Sequence, residues 1–204
     1  MLVYLILGIT YGFAAAVMPG PLSTYLISQA LTNGWRRTLP ATFAPLLSDG
    51  PIILLVLLIL TRLPLWLEQL LRFSGGFFVL YLAVGAAKAW RAHDEREALR
   101  VQSSRQSLVK ATMVNLLNPN PYLSWTLVLG PLLLKGWRET PGNALTLLVS
   151  FYGTMIFIMV MLVALFSAAR NLGPKVNRSL IGASAVALAC FGLYQLWLGV
   201  TSYW

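Results

Sequence analysis

Charged side chains are what this sequence has least of. They make up 10% of its 204 residues, against 58% hydrophobic ones, with only six Asp or Glu, one His and one Cys. A soluble domain carries about 25% charged residues, because its surface must stay wetted. The shortage excludes a separate soluble domain and points to a chain whose solvent is largely a bilayer. A single cysteine, Cys190, excludes disulfides and a redox pair, and is expected only to pack. The single histidine, His93, falls in a polar stretch beside Asp94, Glu95, Arg96 and Glu97, where it reads as a bystander in a solvated linker. Without a histidine or a second acid well inside the apolar runs, the residue sets of a serine protease, an aspartyl intramembrane protease or a metal centre are missing. No enzyme activity, cofactor or metal site is expected.

What is present is apolar length. Six stretches, running roughly Leu2 to Ala30, Leu39 to Leu60, Leu67 to Trp90, Val109 to Leu134, Ala144 to Ala168 and Leu180 to Val200, each meet the ~20 residues needed to cross a bilayer. The first lacks a basic leader and is too long for a signal peptide, so it is expected to be retained despite Ala14-Ala15-Ala16. The prediction is an all-α polytopic membrane protein of six transmembrane helices. A net charge of +9 would suit nucleic acid, but its distribution follows the positive-inside rule instead. Arg36 and Arg37, then Lys88, Arg91, Arg96, Arg100, Arg105 and Lys110, then Arg170, Lys175 and Arg178 lie in the odd-numbered loops. Only Arg62, Arg72, Lys135 and Arg138 lie in the even ones. The odd loops are therefore assigned to the cytoplasm and both termini to the outside. Trp35, Trp66, Trp90, Trp137 and Trp204 fall near segment ends, as an interfacial belt requires.

The two halves repeat each other. Pro19-Gly20-Pro21 matches Pro119-Asn120-Pro121, Gly34-Trp35-Arg36-Arg37-Thr38 matches Gly136-Trp137-Arg138-Glu139-Thr140, and Gly75, Gly85 and Trp90 match Gly182, Gly192 and Trp197. A first three-helix unit over 1–92, a cytoplasmic linker over 93–107 and a second unit over 108–204 follow. With three helices per unit the second copy is inverted, the arrangement of secondary transporters with discontinuous helices.

A proline inside a helix removes a hydrogen bond and clashes one turn back. One such kink is ordinarily structural; two symmetry-related double breaks are not, because irregular backbone in hydrocarbon survives only when buried in protein or lining a polar cavity. Carbonyls near Ala15, Val17, Asn115 and Leu117 are expected to lose their usual partners. At ~1.5 Å per residue, Pro21, Pro119 and Asp49 each lie about 15 Å from the cytoplasmic face, half of a ~30 Å core. Asp49 is the one acid well inside a predicted span, and an intramembrane charge marks a functional site by default. Its bland reading is a cap on a half-helix broken between Pro45 and Pro51. A carboxylate out of water is costly in its charged form, which makes Asp49 a candidate proton carrier. Half-helices beginning at Leu22 and Tyr122 would turn their N-termini toward the same plane and favour an anion. An ammonium near Asp49 and a carboxylate near these ends describe a zwitterion. Ser23, Thr24, Asn115, Asn118, Tyr122 and Ser124 supply neutral polar groups, and Pro19, Gly20, Pro21, Pro119, Asn120 and Pro121 form the breaks. Gly8, Gly12, Ala16 and Gly20 form a small-residue stripe, expected to pack inside the chain, with a homodimer seam as its other use.

Pro19-Gly20-Pro21, Ser48-Asp49 and Asn115-Leu116-Leu117-Asn118-Pro119 together resemble the LysE-type amino-acid exporter family, over essentially the whole chain. The resemblance implies an exporter of amino acids or similar small metabolites in the bacterial inner membrane, driven by protons, with Asp49, Pro19, Pro21 and Asn118 as site or gating positions. Similar exporters of basic amino acids often show an Asp shortly after the Asn-Pro motif, where this chain has Tyr122-Leu123-Ser124. A neutral solute is therefore the leading expectation. A divalent metal-ion or other inorganic cation exporter is the alternative, disfavoured by the scarcity of carboxylate, imidazole and thiolate ligands.

Overall fold

The computed structural model describes residues 1–59, 65–92, 103–169 and 172–201. The linker calls at His93, Asp94, Glu95, Arg96, Glu97 and Arg100, and the calls at Arg62, Arg170 and Trp204, lie outside these residues. Among the described residues every regular element is helical.

The first apolar stretch is two helices, α1 (Leu2–Val17) and α2 (Pro21–Asn33), bent by 62° at the proline motif. After Gly34, whose φ of 78° favours glycine, the chain continues as α3 (Trp35–Thr38), a 3-10 turn (Leu39–Phe43) and α4 (Ala44–Ile59). Then come α5 (Leu65–Ala92), α6 (Ser104–Leu116), α7 (Pro119–Ser124), a π turn (Trp125–Leu129), α8 (Gly130–Glu139), α9 (Pro141–Ala169) and α10 (Pro174–Thr201). Four described segments are long and apolar enough to cross a membrane: Trp35–Val56, Gln69–Arg91, Pro141–Ala169 and Pro174–Thr201. The bent α1–α2 pair makes a fifth if it counts as one span. The stretch expected to be the fourth span is cut at Leu117-Asn118 and widened by the π turn further on. Beyond that cut, α7, the π turn and α8 form one uninterrupted helical run from Pro119 to Glu139, while the 13 residues of α6 are too short to cross alone. Apolar side chains such as Phe77, Val149, Phe157, Leu165 and Val186 point outward, as a lipid-facing surface requires.

Close helix contacts follow the small residues. On α1 only Tyr4, Gly8, Gly12 and Ala16 are buried. A Cβ on Gly8 would run into Ser150 Oγ and the Leu147 carbonyl, and one on Gly12 into the Phe151 carbonyl. The stripe therefore seats α1 on α9 within the chain. The α5–α10 pair crosses at Gly76 and Gly192, where a Cβ on either would come within 3.0 Å of the other's carbonyl. A Cβ on Gly75 would meet the Leu117 carbonyl, so α5 presses directly on the second break.

Two expectations are corrected. Helix α4 runs unbroken through Ser48-Asp49-Gly50 with Pro51 inside it, so Asp49 does not cap a half-helix. Pro45 stands in the first turn of α4, where no intrahelical N–H partner is needed. The half-helices after the breaks begin at Pro21 and Pro119 rather than at Leu22 and Tyr122. Proline fits the first helical position because its missing N–H has no partner there anyway.

Candidate functional site

The two breaks heal differently. At the first, the Gly20 N–H donates to Ser23 Oγ at 3.0 Å, and the Ser23 hydroxyl donates back to the Gly20 carbonyl at 3.0 Å. At the second, Asn118 caps α7 by accepting from the Asn120 N–H at 3.1 Å. The Asn118 N–H reaches the Asn115 carbonyl at 3.2 Å, and the Tyr122 hydroxyl donates to the Leu116 carbonyl at 2.9 Å. The Asn115 carbonyl, expected to lose its partner, thus keeps one.

Between the breaks lies a cavity of about 240 Å³. Its polar lining comes from Ser23 beside Gly20, from Asp49, and from Asn115, Asn118, Asn120 and Ser124. Pro19 and Pro121 also line it, whereas Pro21 and Pro119 are buried at the starts of α2 and α7. Thr24 and Tyr122 are buried but do not face the cavity: Thr24 sits inside α2, and the Tyr122 hydroxyl is spent on the break. Its apolar wall includes Leu22, Val128, Leu129, Phe151, Met155 and Met159.

Asp49 is 4% exposed and sits among donors from four elements. On Oδ1 it accepts from Asn115 Nδ2 at 2.9 Å, with Ser48 Oγ at 3.5 Å; that hydroxyl donates more closely to the Ala44 carbonyl at 3.1 Å. On Oδ2 it accepts from the Tyr152 hydroxyl at 3.0 Å and from Trp125 Nε1 at 3.4 Å. Asn115 also donates to Ser48 Oγ at 2.7 Å. A buried charge is tolerable only when its lone pairs are answered, and here both oxygens are. Trp125 stacks on Tyr152 with centroids 6.5 Å apart and meets Phe151 edge-on at 6.0 Å, which fixes its N–H toward the carboxylate. The π turn beginning at Trp125 brings its carbonyl against Gly130, where a Cβ would collide. Such turns often occur at functional sites.

Sequence reasoning missed Trp125 and Tyr152. The available signal was position: Trp125 lies in mid-stretch, away from the belt, and a buried indole N–H needs an acceptor. Among the described residues no group of three His, Cys, Asp or Glu stands together.

Comparison with known proteins adds one finding. The family model described as "LysE type translocator" matches residues 13–199, almost the whole chain and every cavity residue but Tyr11. No curated protein and no solved structure matches.

Proposed function

This chain belongs to the LysE type translocator family, polytopic membrane proteins that move small molecules rather than transform them, and from that premise we propose that it exports a neutral amino acid or a related small zwitterion in exchange for protons. The observation that carries the proposal is Asp49, a carboxylate buried at the wall of a cavity between two helix breaks. An acid at such a place binds either a proton or the ammonium of a solute, and competition for one carboxylate is the basis of antiport. The first turn of α2 and the amides of Asn118 and Asn120 offer donors for a carboxylate. The leucines, Phe151 and the methionines suit an apolar side chain. The volume has room for several waters, a fit for a small metabolite.

The architecture that goes with this reading has six spans. They form two inverted three-helix units, 1–92 and 108–204, joined by a cytoplasmic linker over 93–107, in the cell (inner) membrane with both termini outside. A homodimer is compatible with it. The test is efflux from proteoliposomes loaded with labelled neutral amino acids, with and without an inward proton gradient. Wild-type efflux is expected to accelerate with the gradient, and Asp49→Asn to lose that acceleration. Normal gradient-driven efflux by Asp49→Asn would sink the role given to Asp49.

A further inference from the structure

A carrier that exchanges one load for another must not reorient while empty, or the gradient drains without work. The hydrogen bonds of Asp49 supply a tie that can hold it. An ionised carboxylate has about four lone-pair positions, and Asp49 is met by three N–H or O–H donors, Asn115 on Oδ1 and Tyr152 and Trp125 on Oδ2, with the Ser48 hydroxyl beside Oδ1 but turned more closely to the Ala44 carbonyl. The donor on Oδ1 comes from α6, while Tyr152 on Oδ2 comes from α9, the helix that carries α1 and the Phe151, Met155 and Met159 wall. We infer that the Tyr152 hydroxyl is the lock of the empty carrier, tying α9 to the ionised Asp49 of α4 behind the cavity wall until a proton or a solute ammonium weakens or displaces it. The inference rests on the reading of Asp49 as the proton and ammonium group.

The chemistry of release is donor counting. A proton arriving on Oδ2 turns an acceptor into a donor that faces two resident donors. The Trp125 N–H cannot accept at all. The Tyr152 bond loses its charge assistance, which roughly halves its strength. An ammonium against Oδ2 displaces the same two donors. A proton weakens the tie, leaving the Tyr152 hydroxyl at best a neutral partner that turns to accept, an ammonium displaces it, and the single oxygen cannot serve both at once. The titratable groups facing Asp49 are the phenols of Tyr152 on α9 and Tyr122 on α7. Among the described residues no lysine, arginine, histidine or second carboxylate lines the cavity, so none competes for the proton.

Tyr152→Phe deletes only the hydroxyl and leaves the ring contacts with Trp125 and Phe151. The experiment uses protons alone, with no solute: proteoliposomes holding a pH-sensitive dye, under an imposed pH gradient. Wild type is expected to be tight, because the carrier that has delivered its proton stays locked. Tyr152→Phe is expected to leak protons on the order of tenfold faster or more, the factor for losing one hydrogen bond to a charged acceptor. The double variant with Asp49→Asn should be tight again. Trp125→Phe, whose bond is longer at 3.4 Å, should leak in the same direction but less. If both single variants are as tight as wild type, the lock is overturned. A wild-type leak equal to that of Tyr152→Phe, abolished by Asp49→Asn, also overturns the lock but leaves Asp49 a proton carrier. A leak that persists in the double variant does not pass through Asp49 and overturns the lock too. Failure of the transport reading itself shows elsewhere, as gradient-driven amino-acid efflux unaffected by Asp49→Asn.

Discussion

The two Pro-x-Pro motifs share a spacing but not a role. The first ends a helix held along one face only: α1 is buried along Tyr4, Gly8, Gly12 and Ala16, closely against α9, and its break is closed by a serine bonding its own turn. The second is held from all sides. Asn118 caps it, Tyr122 bonds across it, α5 presses on it at Gly75, and Asn115 just before it grips Asp49. One break is a loose joint and the other a fixed anchor for the carboxylate. The difference teaches where motion and where chemistry belong. A helix seated by one stripe can tilt at modest cost, whereas a backbone that positions Asp49 must stay put.

The largest effects should come from the glycines that set the two contacts. Gly12→Leu drives a side chain into the Phe151 backbone, which cannot give way. Overpacking costs about 1–3 kcal/mol, and on α1 there is no second seam to absorb it. The expected outcome is a detached α1: protease cleaves the N-terminal segment while the remainder stays folded and monodisperse. Gly75→Ala pushes instead on the Leu117 carbonyl. It should leave the N-terminus protected and reduce proton-coupled transport through displaced Asn115. If Gly75→Ala exposes the N-terminus, or Gly12→Leu leaves α1 protected, the division into joint and anchor is wrong.

Next come the caps. Asn118→Ala removes the side chain that accepts from the Asn120 N–H, a loss of about 1 kcal/mol. Ser23→Ala removes the Gly20 contact and costs a similar amount. The thermal midpoints in detergent should therefore fall alike, while transport falls more in Asn118→Ala because only that break leads to Asp49. Equal transport losses at equal stability losses would erase the asymmetry.

Most of this site was legible because its residues are scarce types. An acid in an apolar run and prolines in mid-stretch stand out whatever the fold, which is how Asp49, Asn115, Asn118 and Ser23 come to be named from sequence. Tyr152 and Trp125 do not stand out, since aromatic residues fill any apolar helix. Their use depends on the register of α9 and the π turn against α4, and Tyr152 is 103 residues from its partner. The same reasoning explains why Pro45 and Pro51 misled. A proline in a first turn breaks nothing, and tertiary packing carries α4 through the other. The π turn has no local mark except Gly130, whose missing side chain makes room for the Trp125 carbonyl.

The smallest effect expected is also the most discriminating. Tyr122→Phe keeps the buried ring and removes one hydrogen bond to the Leu116 carbonyl, a loss of about 0.5–1 kcal/mol. Tyr122 does not line the cavity, so a role in touching solute predicts nothing for it, whereas a role in bracing the anchor predicts a specific pattern. The affinity for exported amino acid should be nearly unchanged, while the maximal rate of gradient-driven efflux falls modestly. Asn118→Ala combined with Tyr122→Phe should lose more than the two single losses together, because both brace the same four residues, Asn115 to Asn118. Strict additivity would mean that the second break is held by independent contacts, and that its rigidity is not what positions Asp49.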